Sequence, residues 1–273
     1  IGGFLPLEKV YRFDPVPAEL TGDERSYILG GQANLWTEYL PTMKDVQYNA
    51  FPRLVAMAQV LWTTEKPAYD DFVNQLAHYY LPRLKQDGVR YSTAFLDPKL
   101  EPSISANGLV YTITAPLAAE TFTVDGKSGK EIVLERSAQP ETTTHTVTAL
   151  LNGQSLRTSE YTFVTHPLIG KPVIFTTPPD AKFDHHNNLG LTDGIRGKRP
   201  WKGDQWLGFT NDTVQLSIDL GKKTTFSTIE LGCLHDPGSW IYQPKTILIE
   251  WSVNGKKYQS SGPLAITGEQ IRI

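Results

Sequence analysis

Trp36 and Glu38 stand two residues apart in the run Gly30-Gly31-Gln32-Ala33-Asn34-Leu35-Trp36-Thr37-Glu38-Tyr39. On an extended chain, residues i and i+2 point to the same side. An indole plane then lies beside a carboxylate, a pairing suited to a sugar. The apolar C–H face of a pyranose packs on the ring. The carboxylate accepts hydrogen bonds from two hydroxyls, each about 1.5–3 kcal/mol for bonds to a charged group. A bare Trp-x-Glu is more often a buried Trp next to a surface Glu, so the spacing alone does not decide. Glu38 by itself cannot run glycoside hydrolysis, which takes two acidic groups or an acid plus a substrate nucleophile.

A second set of aromatics lies near the other end of the chain. Trp240 and Tyr242 follow the turn residues Asp236-Pro237-Gly238, and Trp201 and Trp206 sit in long loops. Trp240, Tyr242 and Trp201 are candidates for a stacking platform, with core packing the competing role for each. Trp206 and the strand at Ile218-Asp219-Leu220-Gly221 read as scaffold. Other chemistry-bearing pairs read as ordinary structure. Asp23-Glu24 lies in a polar loop and suits a helix cap. Asp70-Asp71 fits the acidic first turn of a helix, where it complements the dipole. Asp184-His185-His186 has no third ligand at a metal-site spacing, and adjacent histidines do not share a strand face. Asn211-Asp212-Thr213 is a glycosylation sequon, which matters only in a eukaryotic secretory host.

The elements that must position these residues fall into three regions. Over residues 1–95 the chain is first Pro-rich. A non-alternating apolar run from Tyr27 to Trp36 then predicts a strand buried on both faces. Leu54, Val55, Ala58, Leu61 and Trp62 recur at helical spacing after Pro52, which suits a first turn. A second helix is expected over 68–85, with Phe72, Val73, Leu76, Tyr80 and Leu84 inward and Asp87-Gly88 as its stop. A strand followed by helices is one β/α unit. A (β/α)8 barrel needs about 250 residues, so fewer than 100 can be only part of one. Residues 96–175 carry short alternating runs at 109–114, 121–124, 131–135, 144–150 and 160–165. Asp125-Gly126 and Asn152-Gly153 punctuate them, which predicts a small antiparallel sandwich. Residues 176–273 also read as all-β, at 214–220, 228–231 and 246–253.

Bulk properties set the outer limits. The 273 residues have a formal charge of −3, which gives no basic field for nucleic acid. The single cysteine, Cys233, excludes an internal disulfide and a multi-thiolate zinc site. No apolar run approaches the roughly 18–20 residues of a membrane span. The chain starts at Ile1 without a signal-peptide pattern, and its last residues read as a strand in progress. The expectation is a fragment of something longer.

GGQANLWTEY at 30–39, FPRLVAMAQVLW at 51–62 and, upstream, PLEKVYRFDPVP at 6–17 resemble the last part of the catalytic barrel of family 20 glycoside hydrolases, the β-N-acetylhexosaminidases. The resemblance covers about residues 1–90, the eighth strand and its helices. It implies that Trp36 walls the terminal N-acetylhexosamine and that Glu38 accepts from its ring hydroxyls. It implies a substrate-assisted retaining reaction in which the substrate's acetamido oxygen attacks the anomeric carbon. The acid Glu, its orienting Asp and a Tyr belong to motifs upstream of Ile1. No catalytic residue is therefore expected in this chain, and the isolated chain is expected to be inactive. Gln32 and Gln59 stand where many members have Glu.

LTDGIRG at 191–197, WLGFTNDTVQLSIDLGK at 206–222 and YQPKTILIEWSVNGKKY at 242–258 resemble a discoidin-like (coagulation-factor C-type) sandwich lacking its final strand or strands. That resemblance implies a candidate structural calcium at Asp193. Residues 96–175 resemble, more weakly, a fibronectin-III-like module. The expectation is thus a multidomain chain: the end of an α/β TIM barrel (1–95), then two all-β sandwiches (96–175 and 176–273). The implied ligands are glycans with terminal N-acetylhexosamine, with no catalytic cofactor and an extracytoplasmic location. The alternative is a non-catalytic glycan-binding protein that uses the C-terminal sandwich.

Overall fold

The computed structural model describes residues 5–115, 117, 120–151, 153–199, 201, 205–266 and 270–272. The chain divides into two compact units. One holds residues 1–101, 112–132 and 145–161, and the other holds 102–111, 133–144 and 162–273.

The helices of the first unit are α1 (Leu7–Tyr11), α2 (Met43–Ala50), α3 (Arg53–Trp62), α4 (Tyr69–Gln75) and α5 (Leu81–Gln86). Thr42 caps α2 in a reciprocal box with Asp45, which satisfies two backbone donors at once. The helix expected over 68–85 is present as α4, a π-helical turn at Leu76–Tyr80, and α5. Pro82 explains the wide turn. It has no N–H to give to the preceding turn, and its ring crowds the carbonyl four residues back. The Leu81 N–H reaches the Leu76 carbonyl instead. At the end of α5, Gly88 turns left-handed (φ 68°) and the Val89 N–H reaches back to the Leu84 carbonyl, closing the helix as the Asp-Gly pair predicts.

Phe72 is fully buried, stacked on Tyr11 with centroids 4.4 Å apart, and packs with Leu7, Ala56 and Leu76. Val73, Leu81 and Leu96 continue this core into Leu117, with Leu151 and Leu156 against it. One apolar core therefore spans the helical residues and part of the β-region. A polar clamp reinforces the same junction. Arg157 forks onto the Asp97 carboxylate, its Nη2 3.2 Å from Oδ2, and its Nη1 donates to Thr93 at 2.9 Å. Ser159 also donates to Asp97, at 3.0 Å, and the Tyr161 hydroxyl donates to the Pro98 carbonyl at 2.8 Å.

Two expectations for residues 1–95 are corrected. The segment from Ile28 to Trp36 forms no strand, and Leu29 is 96% exposed. A strand needs neighbours to take its backbone hydrogen bonds, and the described residues offer it none. α3 forms where expected but buries Ala56, Met57 and Val60. Leu54 and Ala58 face outward, and Trp62 is 88% exposed. Arg53–Trp62 is apolar all round, so periodicity could not say which side the core would take.

The β-region holds two sheets. Strands β1 (Lys99–Ser105), β2 (Gly108–Thr114) and β5 (Glu131–Glu135) pair in the order β1-β2-β5. Strands β3 (Glu120–Val124), β4 (Lys127–Ser128), β6 (Glu141–Leu151) and β7 (Gln154–Thr165) pair in the order β4-β3-β6-β7. Alternation places Leu109, Tyr111 and Ile113 inward on β2, Ile132 and Leu134 on β5, and Val147 and Ala149 on β6. β1 was not anticipated; its half-buried pattern carries little hydrophobic signal.

The rest of the second unit is built from two-stranded ribbons. β8 (Val173–Phe175) pairs with β9 (Leu216–Ile218), β10 (Glu230–Gly232) with β13 (Gln270–Arg272), and β11 (Thr246–Trp251) with β12 (Gln259–Ala265). Among the described residues, none beyond Gly194 is buried. Close glycine contacts replace a thick core here. The Trp206 ring lies against Gly197, Leu207 against Gly190, and Phe183 against Gly208, leaving no room for a Cβ at any of the three. Trp206 behaves as scaffold.

Candidate functional site

Trp36 stands at the end of the extended segment and is 58% exposed. Upstream, Gly31 passes over α3. A Cβ there would meet Met57 and Leu61 side chains at 3.1 Å, so the absence of a side chain lets the segment lie close on the helix. The extended backbone stops at Trp36. Thr37–Tyr39 is a 3-10 turn, closed by the Leu40 N–H on the Thr37 carbonyl at 3.0 Å. The simple i, i+2 argument for a shared side therefore does not hold as stated, because it assumed an extended chain through Glu38. Glu38 is exposed and forms no hydrogen bond or ion pair among the described residues. Its carboxylate thus keeps its full acceptor capacity. Thr42 and the capped start of α2 follow at once, which fixes where the loop ends.

Asp193 is buried, and both its carboxylate oxygens are engaged. Oδ2 is 2.8 Å from His186 Nδ1, and Oδ1 accepts the Ile195 N–H at 2.8 Å. The Asp193 carbonyl takes the Tyr111 hydroxyl at 2.9 Å. Calcium wants six to eight oxygens. This carboxylate instead meets a nitrogen and a backbone amide, and no cluster of three or more metal-ligating side chains occurs among the described residues. The residues around Asp193 do not fit a calcium cage. The His186 contact was not legible in the sequence. It depends on His186 taking a left-handed conformation (φ 55°).

Of the three platform aromatics, Trp201 is half-buried and packs edge-on to Phe183. Trp240 and Tyr242 instead flank Ile241 on one hairpin and are 83% and 63% exposed. The acidic pairs behave as read. The Glu24 carboxylate accepts the Thr21 N–H at 3.2 Å as a cap, and Asp70-Asp71 opens α4. Burial pushes the Cys233 thiol pKa up, away from a reactive thiolate. Burial, aided by Arg196, pulls His166 down.

Residues 1–65 match the family profile described as glycosyl hydrolase family 20, catalytic domain. The matched stretch contains Trp36, Glu38 and all of α1 to α3. The chain is also similar to a beta-hexosaminidase of Porphyromonas gingivalis, 40% identical over 124 residues, covering 45% of this chain and 15% of that protein. A probable beta-hexosaminidase of Arthroderma benhamiae is 38% identical over 56 residues, covering 20% of this chain and 9% of its own length. The chain thus matches about one seventh or less of the length of these relatives. The family 20 profile implies a TIM-barrel-type fold for the matched residues. No helix among the described residues is long and apolar enough to cross a membrane.

Proposed function

We propose that this chain is part of a longer exo-β-N-acetylhexosaminidase. That enzyme removes terminal β-linked N-acetylglucosamine or N-acetylgalactosamine by a substrate-assisted retaining route. The observation that carries this reading is the family 20 catalytic-domain match over residues 1–65, which ends on the helix that braces the Trp36 segment. The 40% identity to a beta-hexosaminidase supports it.

In this reading Trp36 offers its exposed indole face to the apolar side of the sugar. Glu38, with no competing partner, accepts from two hydroxyls. Neither residue moves a proton in the reaction. The acid, the carboxylate that orients the acetamido group and the tyrosine lie in the rest of the enzyme, so the isolated chain turns nothing over. Residues 96–175 act as a fibronectin-III-like module, a reading supported by the β1-β2-β5 and β4-β3-β6-β7 sheet orders. Residues 176–273 act as a discoidin-like accessory module. Work on terminal sugars of external glycans places the enzyme outside the cytoplasm.

Hydrolysis of a chromogenic β-N-acetylglucosaminide tests the reading. The longer enzyme is expected to cleave it and the isolated chain is not. An inactive longer enzyme with correct folding overturns the proposal.

A further inference from the structure

The hairpin from His235 to Gln243 in the second unit is closed by a pair of backbone bonds. The Asp236 N–H donates to the Ile241 carbonyl at 3.0 Å and the Ile241 N–H to the Asp236 carbonyl at 3.1 Å. Between them Pro237–Ser239 makes a 3-10 turn, and Trp240 follows in the left-handed region at φ 60°. A bulky aromatic is a poor choice there, because its Cβ crowds the following carbonyl where Gly or Asn would not. Such strain is ordinarily offset by burial of the side chain. Here the indole is 83% exposed, so packing does not offset it. Strain of this kind gathers where a conformation serves a ligand.

The surroundings indicate what that ligand is. Tyr242, two residues on, is also exposed and meets the His235 ring edge-on at 6.3 Å. Arg199 donates to the His235 carbonyl and anchors the base of the hairpin. On the same hairpin, His235 Nδ1 and Gln243 Oε1 are withdrawn from water without a hydrogen-bond partner. Unsatisfied polar atoms of this kind are rare in scaffolds. Exposed aromatic faces with neutral polar groups beside them suit a ring that has one apolar C–H face and a rim of hydroxyls. A charged ligand would find no matching cluster of opposite charge on these residues.

We infer that the 235–243 hairpin is a carbohydrate-binding platform. Trp240 stacks on a pyranose face, Tyr242 is the second wall, and the His235 and Gln243 side chains turn to meet its hydroxyls. It is separate from the Trp36–Glu38 subsite and needs no catalytic residue. Only the choice of an N-acetylated probe rests on the hydrolase reading.

The test is titration of the full 273-residue chain with tri-N-acetylchitotriose and, in parallel, cellotriose, followed by tryptophan fluorescence and isothermal calorimetry. Saturable binding to either sugar is expected, weakened at least about tenfold in both Trp240→Ala and Tyr242→Ala. Trp240→Gly separates ligand from fold: it should lose the same affinity while raising Tm by about 2–4 °C, because glycine adopts that backbone freely. Binding of both sugars alike supports the platform, even if the longer enzyme proves to be no hexosaminidase. Absence of binding to either sugar, affinity unchanged in the two alanine variants, or a fall in Tm for Trp240→Gly overturns it. Binding of a protein in place of either sugar does so too.

Discussion

Arg157→Ala should destabilise the first unit through a specific partner, Asp97. The side chain forks onto both Asp97 oxygens and donates to Thr93, while Ser159 shares the same carboxylate. Bonds to charged groups reach about 1.5–3 kcal/mol when shielded, whereas exposed ion pairs return about 0.2–1 kcal/mol. This pair is part-buried, about a third exposed on each side, so an intermediate value of about 1–2 kcal/mol is expected for Arg157→Ala. That corresponds to a Tm decrease of about 2–8 °C. A double-mutant cycle with Asp97→Ala isolates the pair, and a coupling of about 1 kcal/mol is expected. Raising salt from 0.1 to 1 M shortens the screening length from about 10 to about 3 Å and should reduce the coupling without abolishing it. The assay is thermal unfolding followed by circular dichroism on the full chain. Phe72→Ala serves as the packing control, expected to cost about 3–5 kcal/mol with no salt dependence. Coupling below about 0.3 kcal/mol, or additive losses at both salts, would refute the clamp and leave the apolar core alone to join helices and strands.

Two further outcomes follow from the structure. Gly170→Ala should cost about 2–5 kcal/mol, because the position has φ 69° and its Cβ would lie 2.3 Å from the Gly108 carbonyl oxygen. Gly153→Ala, at φ 78° with open space around it, should cost only about 1–2 kcal/mol, and comparison of the two midpoints checks the difference. His166 is held neutral by burial, with Arg196 adding to the effect, so its folded pKa lies below the ordinary 6.5. The unfolded chain takes up the proton first as pH falls. Stability is therefore intact above about pH 6.5 and is lost as pH drops through the folded value. His166→Asn keeps an acceptor for the Leu168 N–H and should flatten Tm between pH 6.5 and 5; an unchanged slope would remove His166 as the cause.

Much of the fold was legible where local chemistry dictates it. Asp87-Gly88 ended a helix because glycine alone enters the left-handed region freely, and the alternation at 109–114 and 131–135 named the inward side chains of β2 and β5. What was not legible depended on distant neighbours. The Tyr27–Trp36 run has the composition of a buried strand, but burial needs flanking strands that these residues do not find. α3 is apolar on every side, so only Tyr11 and Phe72 select the face that turns inward. The Trp36–Glu38 pair was visible as residue types, whereas the 3-10 turn between them was not. The left-handed Trp240 had no sequence signal beyond the Pro-Gly turn that precedes it.

The most direct measurement is kcat/KM of the longer enzyme on a chromogenic β-N-acetylglucosaminide, for wild type, Glu38→Gln and Trp36→Ala. Loss of a charged acceptor for two hydroxyls is worth about 1.5–3 kcal/mol, or roughly 10- to 150-fold. Glu38→Gln should lower kcat/KM by that factor, and Trp36→Ala should raise KM. Values within twofold of wild type in both variants would contradict the account and remove Trp36 and Glu38 from the sugar site.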